Sequence, residues 1–263
     1  MQLKYRIPIN CSEKTMALQL YYSSVLDGST SHYPGKICTV IFLGGCPLRC
    51  PWCYVPALMD KRNTQPRDIQ FFLDHYRTQA AAQAVCITGG EPFDQAAAVT
   101  DLCKFLSQDG AKVKVETCGY FPDALAKALP YIDYVALDVK TKLDSSQYSQ
   151  MTGTKSNPLN LMMSVIRSMD VLKNAPKVFK EVRTTVIPGF TDNPETIAAI
   201  TKEVQWADLY VLQQFRCDLE MNDPLFNAMA PPSKERLLEL AQVAKKNVSE
   251  VAVRTTDEGE IRV

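Results

Sequence analysis

The chain is first defined by what it lacks. Neither sign of charge is in excess: 29 Lys and Arg face 29 Asp and Glu, so nothing marks an electrostatic nucleic-acid binder. No apolar run approaches the roughly 20 residues that a membrane span requires. The N-terminus shows no signal-peptide core, because Lys4, Arg6, Glu13 and Lys14 interrupt it. There is no internal repeat, low-complexity tract or linker, and histidine is limited to His32 and His75. These absences point to a cytoplasmic protein with no membrane or nucleic-acid partner, folded as one domain over residues 1–263. Its nine cysteines then sit in a reducing compartment, free or metal-bound.

Against that background one stretch stands out. Cys46, Cys50 and Cys53 lie at C-x3-C-x2-C spacing, directly after the apolar run Ile37–Leu43. Such a loop can bring three thiolates to one point, and thiolates bind soft metals and iron–sulfur clusters. A closed zinc site wants four ligands, usually as two pairs, and no second C-x-x-C pair follows. Zinc would need a distant fourth ligand from a histidine or one of six scattered cysteines. An odd cysteine count argues against a disulfide framework. Three inert cysteines in one short loop would be a coincidence. The spacing favours an open cluster, in which three cysteines leave one iron free to bind a substrate.

Strand-like and helix-like runs alternate along the chain. Strands are expected over Ile37–Leu43, Ala84–Thr88, Lys112–Thr117, Asp133–Val139, Phe179–Ile187 and Asp208–Gln214. A further strand is expected over Glu250–Arg254, and a short one over Leu3–Pro8, with a turn around Asp27–Ser31. Helices are expected over Pro66–Gln79, Gln95–Gln108, Pro122–Ala128 and Pro158–Leu172, then from Pro194 to Gln205 behind an Asn193 cap, and from Ser233 to about Asn247. Six strands alternating with helices imply parallel βαβ units and an α/β fold, a partial (β/α)6 TIM-like barrel, with a doubly wound open sheet as the alternative. The core would span about residues 33–215, with 1–32 as an N-terminal extension and 216–263 adding a C-terminal helix and strand.

In such barrels chemistry sits at the C-terminal strand ends. The cysteine loop follows the first strand, and Thr88-Gly89-Gly90-Glu91-Pro92 ends the second. Glu116-Thr117-Cys118-Gly119 ends the third and Asp138-Val139-Lys140 the fourth; Arg183 lies within the fifth, and Gln213-Gln214-Phe215-Arg216 ends the sixth. Gly89 and Gly90 let backbone approach a ligand closely, and Glu91 adds an acceptor for an ammonium group, or else caps the next helix. Asp138 and Lys140 are two apart on a strand and share one face, as ligand contacts or as a structural ion pair. Glu116 and Asp138 could also offer oxygens to a hard cation. Cys118 reads as a small residue in a tight turn, and Cys38, Cys86 and Cys103 read as packing; His32 and His75 are assigned no role.

These motifs, in this order, resemble the radical S-adenosylmethionine superfamily. Tyr33-Pro34-Gly35-Lys36, Glu116-Thr117-Cys118-Gly119, Asp138-Val139-Lys140, the run Arg183 to Asp192 and Gln213-Gln214-Phe215 narrow the resemblance to the activating enzymes of glycyl radical enzymes, of the pyruvate formate-lyase and anaerobic ribonucleotide reductase type. The similarity runs from about Tyr33 to Phe215. It implies an oxidoreductase with one [4Fe–4S] cluster on Cys46, Cys50 and Cys53 and S-adenosylmethionine on the open iron. Gly89, Gly90 and Glu91 match the motif that holds the methionine ammonium. Trp52 and Tyr54 would lie near the adenine, and Thr117, Asp138, Lys140 and Arg183 near the methionine and ribose. In similar enzymes the acids matching Glu116 and Asp138 also help bind a monovalent cation. The implied reaction is reductive cleavage to a 5′-deoxyadenosyl radical, which abstracts hydrogen from a glycine of a partner glycyl radical enzyme. A low-potential donor of flavodoxin or ferredoxin type would supply the electron, under anaerobic conditions. Tyr54-Val55 replaces the family's common His-Asn, and the segment from Cys217 to Pro232 matches poorly. Modification of another protein residue, a peptide or a small molecule is the alternative reading; a non-catalytic metal-binding module is the remote one.

Overall fold

The computed structural model describes residues 18–154 and 157–263, so the strand expected at Leu3–Pro8 lies outside the described residues. β1 (Gln19–Ser29) pairs antiparallel with β2 (Cys38–Leu43), and β3 (Gln65–Asp68) pairs antiparallel with β1. From β2 the sheet runs in parallel through β4 (Ala84–Gly89), β5 (Lys112–Thr117), β6 (Tyr134–Asp138), β7 (Phe179–Val186), β8 (Leu209–Gln214) and β9 (Val251–Thr255). β10 (Gly259–Arg262) folds back antiparallel on β9. The ten-stranded sheet ends at β3 and β10 and does not close. The fold is the mixed α/β partial barrel that the alternation implied, with β9 adding a parallel strand to the expected six.

Among the described residues seven α-helices connect the strands: α1 (Ile69–Thr78), α2 (Ala96–Gln108), α3 (Pro122–Ala128), α4 (Ser145–Thr152), α5 (Pro158–Lys173), α6 (Pro194–Glu203) and α7 (Lys234–Ala244). Their starts follow the capping residues. Asn193 accepts from the Thr196 amide at 2.8 Å, and Ser233 from the Arg236 amide at 3.2 Å. α1 begins later than Pro66 because Asp68 accepts from the Phe71 amide at 2.9 Å, while the four residues before the helix pair with β1 instead. β1, β3, β10 and α4 were not anticipated. β1 buries only Leu20 and Tyr22 of its eleven residues, so it leaves almost no period-two signal.

Alternation along each strand sorts side chains between two regions. Val85, Ile87, Val113, Val115, Val135 and Leu137 face outward and join the helices in the main core. Cys38, Val40, Ala84, Cys86, Tyr134 and Ala136 face inward and, with Tyr33, fill the N-terminal end of the barrel. Above that plug the inward residues become charged.

α4 braces the cysteine loop. Asp144 caps it by accepting from the Gln147 amide at 2.9 Å, and Tyr148 and Met151 are buried beneath it. At its far end the Trp52 indole donates to the Met151 carbonyl and the Arg49 amide to the Thr152 carbonyl, both at 2.8 Å. Gly153, at φ 55°, closes the helix where a Cβ would overlap the Arg49 carbonyl oxygen. Gly153→Ala should therefore lower unfolding free energy by about 1–3 kcal/mol, read from urea melts. Wild-type stability in that variant would refute the close docking of α4 on the loop.

Candidate functional site

A cavity of about 410 Å3 opens at the C-terminal ends of the parallel strands. Cys46, Cys50 and Cys53 line it from the loop after β2. All three thiols are free. Burial pushes Cys46 up to about 12, opposed by the Leu48 amide, and Cys50 up to about 11, opposed chiefly by Lys140. Burial also raises Cys53, opposed by the Val55 amide. A soft cationic group entering here would displace those protons. Among the described residues no three His, Cys, Asp or Glu side chains gather closely enough to hold one metal ion. A cubane, with irons at separate corners, accepts thiolates set wider than a single ion does. The donor set, three thiols on a cavity wall, therefore fits an iron–sulfur cluster with one open position.

Gly89 and Gly90 form the neighbouring wall. A Cβ on Gly89 would overlap the Leu43 backbone, and one on Gly90 the Gly45 carbonyl oxygen, so the end of β4 touches the cysteine loop main chain to main chain. Glu91, read from sequence as either an acceptor for an ammonium group or a cap for the next helix, caps the 3-10 turn Pro92–Gln95. It is wholly buried, accepting from the Thr117 hydroxyl at 2.8 Å, the Cys118 amide at 2.7 Å and the Phe93 amide at 3.0 Å. Burial raises its carboxyl above the ordinary range, opposed by those donors. Glu91 thus ties the end of β4 to the end of β5, while the glycine backbone faces the cavity.

Strand register assembles the charged part. Asp138 and Arg183 are Cα partners across β6 and β7, and the Arg183 Nε donates to Asp138 at 2.7 Å. Ala136 is the residue opposite both Glu116 and Glu181, and its small side chain leaves Arg183 room to reach Glu116 at 2.9 Å. Lys114 also holds Glu116, at 3.1 Å, and Lys140 lies 3.6 Å from Asp138 and 4.8 Å from the centre of the Trp52 ring. Deeper, Glu181 accepts from the Tyr134 hydroxyl and meets Arg254 at 3.4 Å. Glu116 and Asp138, the acids expected to help bind a monovalent cation, are both paired with the Arg183 guanidinium, which bridges them.

Every other expected site residue lines the same cavity: Trp52, Tyr54, Thr117, Asp138, Lys140 and Arg183, with Glu116. Sequence reasoning missed His32 and Arg254. Arg254 ends a parallel strand, so the rule that found the other rim residues applies to it too. His32 comes from the β1–β2 turn, and its Nδ1 lies 2.7 Å from the Ser29 hydroxyl; burial lowers its pKa, against the pull of Glu116. The buried Tyr148 hydroxyl lies beside the Lys140 backbone amide.

Burial alone would raise the Glu116 carboxyl, but Arg183 and Lys114 outweigh it and hold it below its ordinary 4.5. Glu181 is held below 4.5 in the same way, by Lys114 and Arg254 against burial. Depressed carboxyl pKa values contribute stability that is complete above the unfolded value and lost as pH falls through the folded one. Urea stability should therefore drop below about pH 4.5. Glu116→Gln should cost about 3–5 kcal/mol at neutral pH and flatten that acid limb. Parallel pH profiles for the variant and the wild type would contradict it.

A family model described as the radical SAM superfamily matches residues 40–202. A protein of Methanocaldococcus jannaschii, provisionally named a glycyl-radical enzyme activating enzyme, is 32% identical over 246 residues, covering 89% of this chain and 95% of its own. The isethionate sulfite-lyase activating enzyme of Nitratidesulfovibrio vulgaris is 29% identical, covering 71% and 78%, and the pyruvate formate-lyase-activating enzyme of Clostridium pasteurianum is 25% identical, covering 65% and 71%. In fold, the structure of TYW1 with a lysine–pyruvate adduct bound superposes with a TM-score of 0.57 at 18% identity, over 84% of this chain and 77% of that one. With its cysteine loop, glycine turn and charged rim around one cavity, the chain belongs to the radical S-adenosylmethionine superfamily and is an enzyme of that type.

Proposed function

We propose that Cys46, Cys50 and Cys53 hold a single [4Fe–4S] cluster, and that the chain uses S-adenosylmethionine to abstract a hydrogen atom from a glycine of a partner glycyl radical enzyme. When bound, the cluster supplies an open iron and one electron for reductive cleavage of the sulfonium to a 5′-deoxyadenosyl radical. The observation that carries the reading is convergence: three thiols, the Gly89–Gly90 backbone and the Asp138, Lys140 and Arg183 side chains face one cavity. The activating-enzyme names of the relatives support a protein glycine as the target.

The chain's own residues bind and orient. Lys140 and Arg183 offer cationic donors to a carboxylate, and Asp138 offers an acceptor to an ammonium or ribose hydroxyl. The Gly89 and Gly90 main chain offers carbonyls and amides with no side chain in the way. Glu91 acts from behind, fixing Thr117 and Cys118. Trp52 is held by Met151 and covered by Lys140, which leaves the more exposed Tyr54 for an adenine. Leu48, Val55 and Met59 supply apolar wall that keeps water from the thiols.

Anaerobic reconstitution tests the reading. The wild-type chain should gain about four irons and cleave S-adenosylmethionine under dithionite. Cys50→Ala should lose both the brown chromophore and the cleavage. Cleavage retained in Cys50→Ala would refute the cluster assignment. A glycyl-radical doublet in electron paramagnetic resonance, on mixing with candidate glycyl radical enzymes, tests the substrate; cleavage without a doublet on any of them would favour another target.

A further inference from the structure

The cysteine loop sorts its backbone groups by direction. The Cys50 amide lies on the thiol side of the loop, opposite the Arg49 carbonyl of the same peptide. The carbonyls of Arg49, Cys50, Pro51 and Cys53 accept from residues 222 and 223, and that of Cys50 also accepts from the Cys53 amide at 3.1 Å within the loop. The Asn222 side-chain amide donates to Arg49 at 3.3 Å and to Cys50 at 3.2 Å. The Asn222 backbone amide donates to Cys53 at 3.0 Å, and that of Asp223 to Pro51 at 2.8 Å. A planar trans peptide holds its C=O and N–H at opposite ends. Fixing the Arg49 carbonyl outward therefore fixes the Cys50 amide inward, onto sulfur.

The segment that does this lies past the matched residues 40–202. Met221 and Phe226 are buried, and Phe226 stacks on Phe190 at 5.6 Å, so the turn between them has a firm base. Asn222 itself is exposed, and replacing it removes no core packing.

We propose that Asn222 is a positioning residue for the cluster ligands: by capping the Arg49 carbonyl it holds the Cys50 amide toward sulfur, and by capping the Cys50 carbonyl it secures the loop between the second and third cysteines. This rests on the functional reading above. Amide donors at sulfur stabilise the more negative, reduced form of a cluster and raise its potential. Loss of a supporting partner one step behind a ligand costs about 10- to 100-fold in metal affinity.

The test uses the full chain, reconstituted anaerobically and challenged with ferrozine. Asn222→Ala should lose iron about tenfold faster than the wild type, with a midpoint potential shifted negative. Asn222→Asp keeps the shape and removes the donor, so it should behave like Asn222→Ala. A purely structural role would lower the melting temperature and leave the potential unchanged. A wild-type rate and potential in Asn222→Asp overturns the proposal, and that variant decides alone should Asn222→Ala fail to fold. A wild-type chain that takes up no iron overturns the functional reading, and this inference with it.

Discussion

Arg183 is the residue on which the barrel interior depends. Ion pairs taken out of water repay their desolvation only when geometry is good and every partner is present. Arg183, with 8% of its side chain exposed, meets Glu116 and Asp138 at once. Through Glu116 it is tied to Lys114, and through Asp138 to Lys140. Glu181 extends the set to Tyr134 and Arg254. The network spans β5, β6, β7 and β9, so it joins the strands from inside while the helices press on them from outside. It also gives the cavity a floor that is polar, rigid and close to neutral. A zwitterionic ligand can exchange water for such a surface without forcing any single buried charge to stand alone.

The same economy governs the cysteine loop, in hydrogen bonds rather than charges. Buried main-chain groups require partners. Here Leu58 and Met59 take the Gly45 and Cys46 amides, Thr152 takes the Arg49 amide, and the 222–223 turn takes the outward carbonyls. Only the amides near sulfur are left pointing in. Three distant parts of the chain thus shape a loop whose own sequence supplies little beyond thiols, a tight turn and Arg49, whose guanidinium closes on the Cys46 carbonyl at 2.6 Å.

The parts of this design that sequence made legible are those with local signatures. Strands β2 and β4 to β8 are contiguous apolar runs with polar ends, and the cysteines are marked by spacing. The rim residues follow from one rule about parallel strands, which also reaches Arg254. What stayed hidden depends on long-range register. Whether Glu91 faces a ligand or the Thr117–Cys118 turn is set by a partner 26 residues away. That Arg183 bridges Glu116 and Asp138 follows from pairing between β6 and β7 across a small Ala136. α4 carried a readable start, Asp144 with Gln147 three residues on, but its use as a brace is a contact 99 residues from Trp52. β1 and β3 are mostly exposed, so their pairing leaves no pattern to read.

The distance between Asn222 and Cys50 is 172 residues, and that has a consequence for synthesis. A chain emerging from the ribosome presents its three cysteines long before the residues that cap their loop. For most of translation the carbonyls of Arg49, Pro51 and Cys53 lack their 222–223 partners. The loop reaches its final shape when the segment after β8 has emerged and Phe226 has seated against Phe190. The loop geometry is therefore completed late, and a truncated product ending before residue 216 would carry all three cysteines without the 222–223 turn that caps their loop.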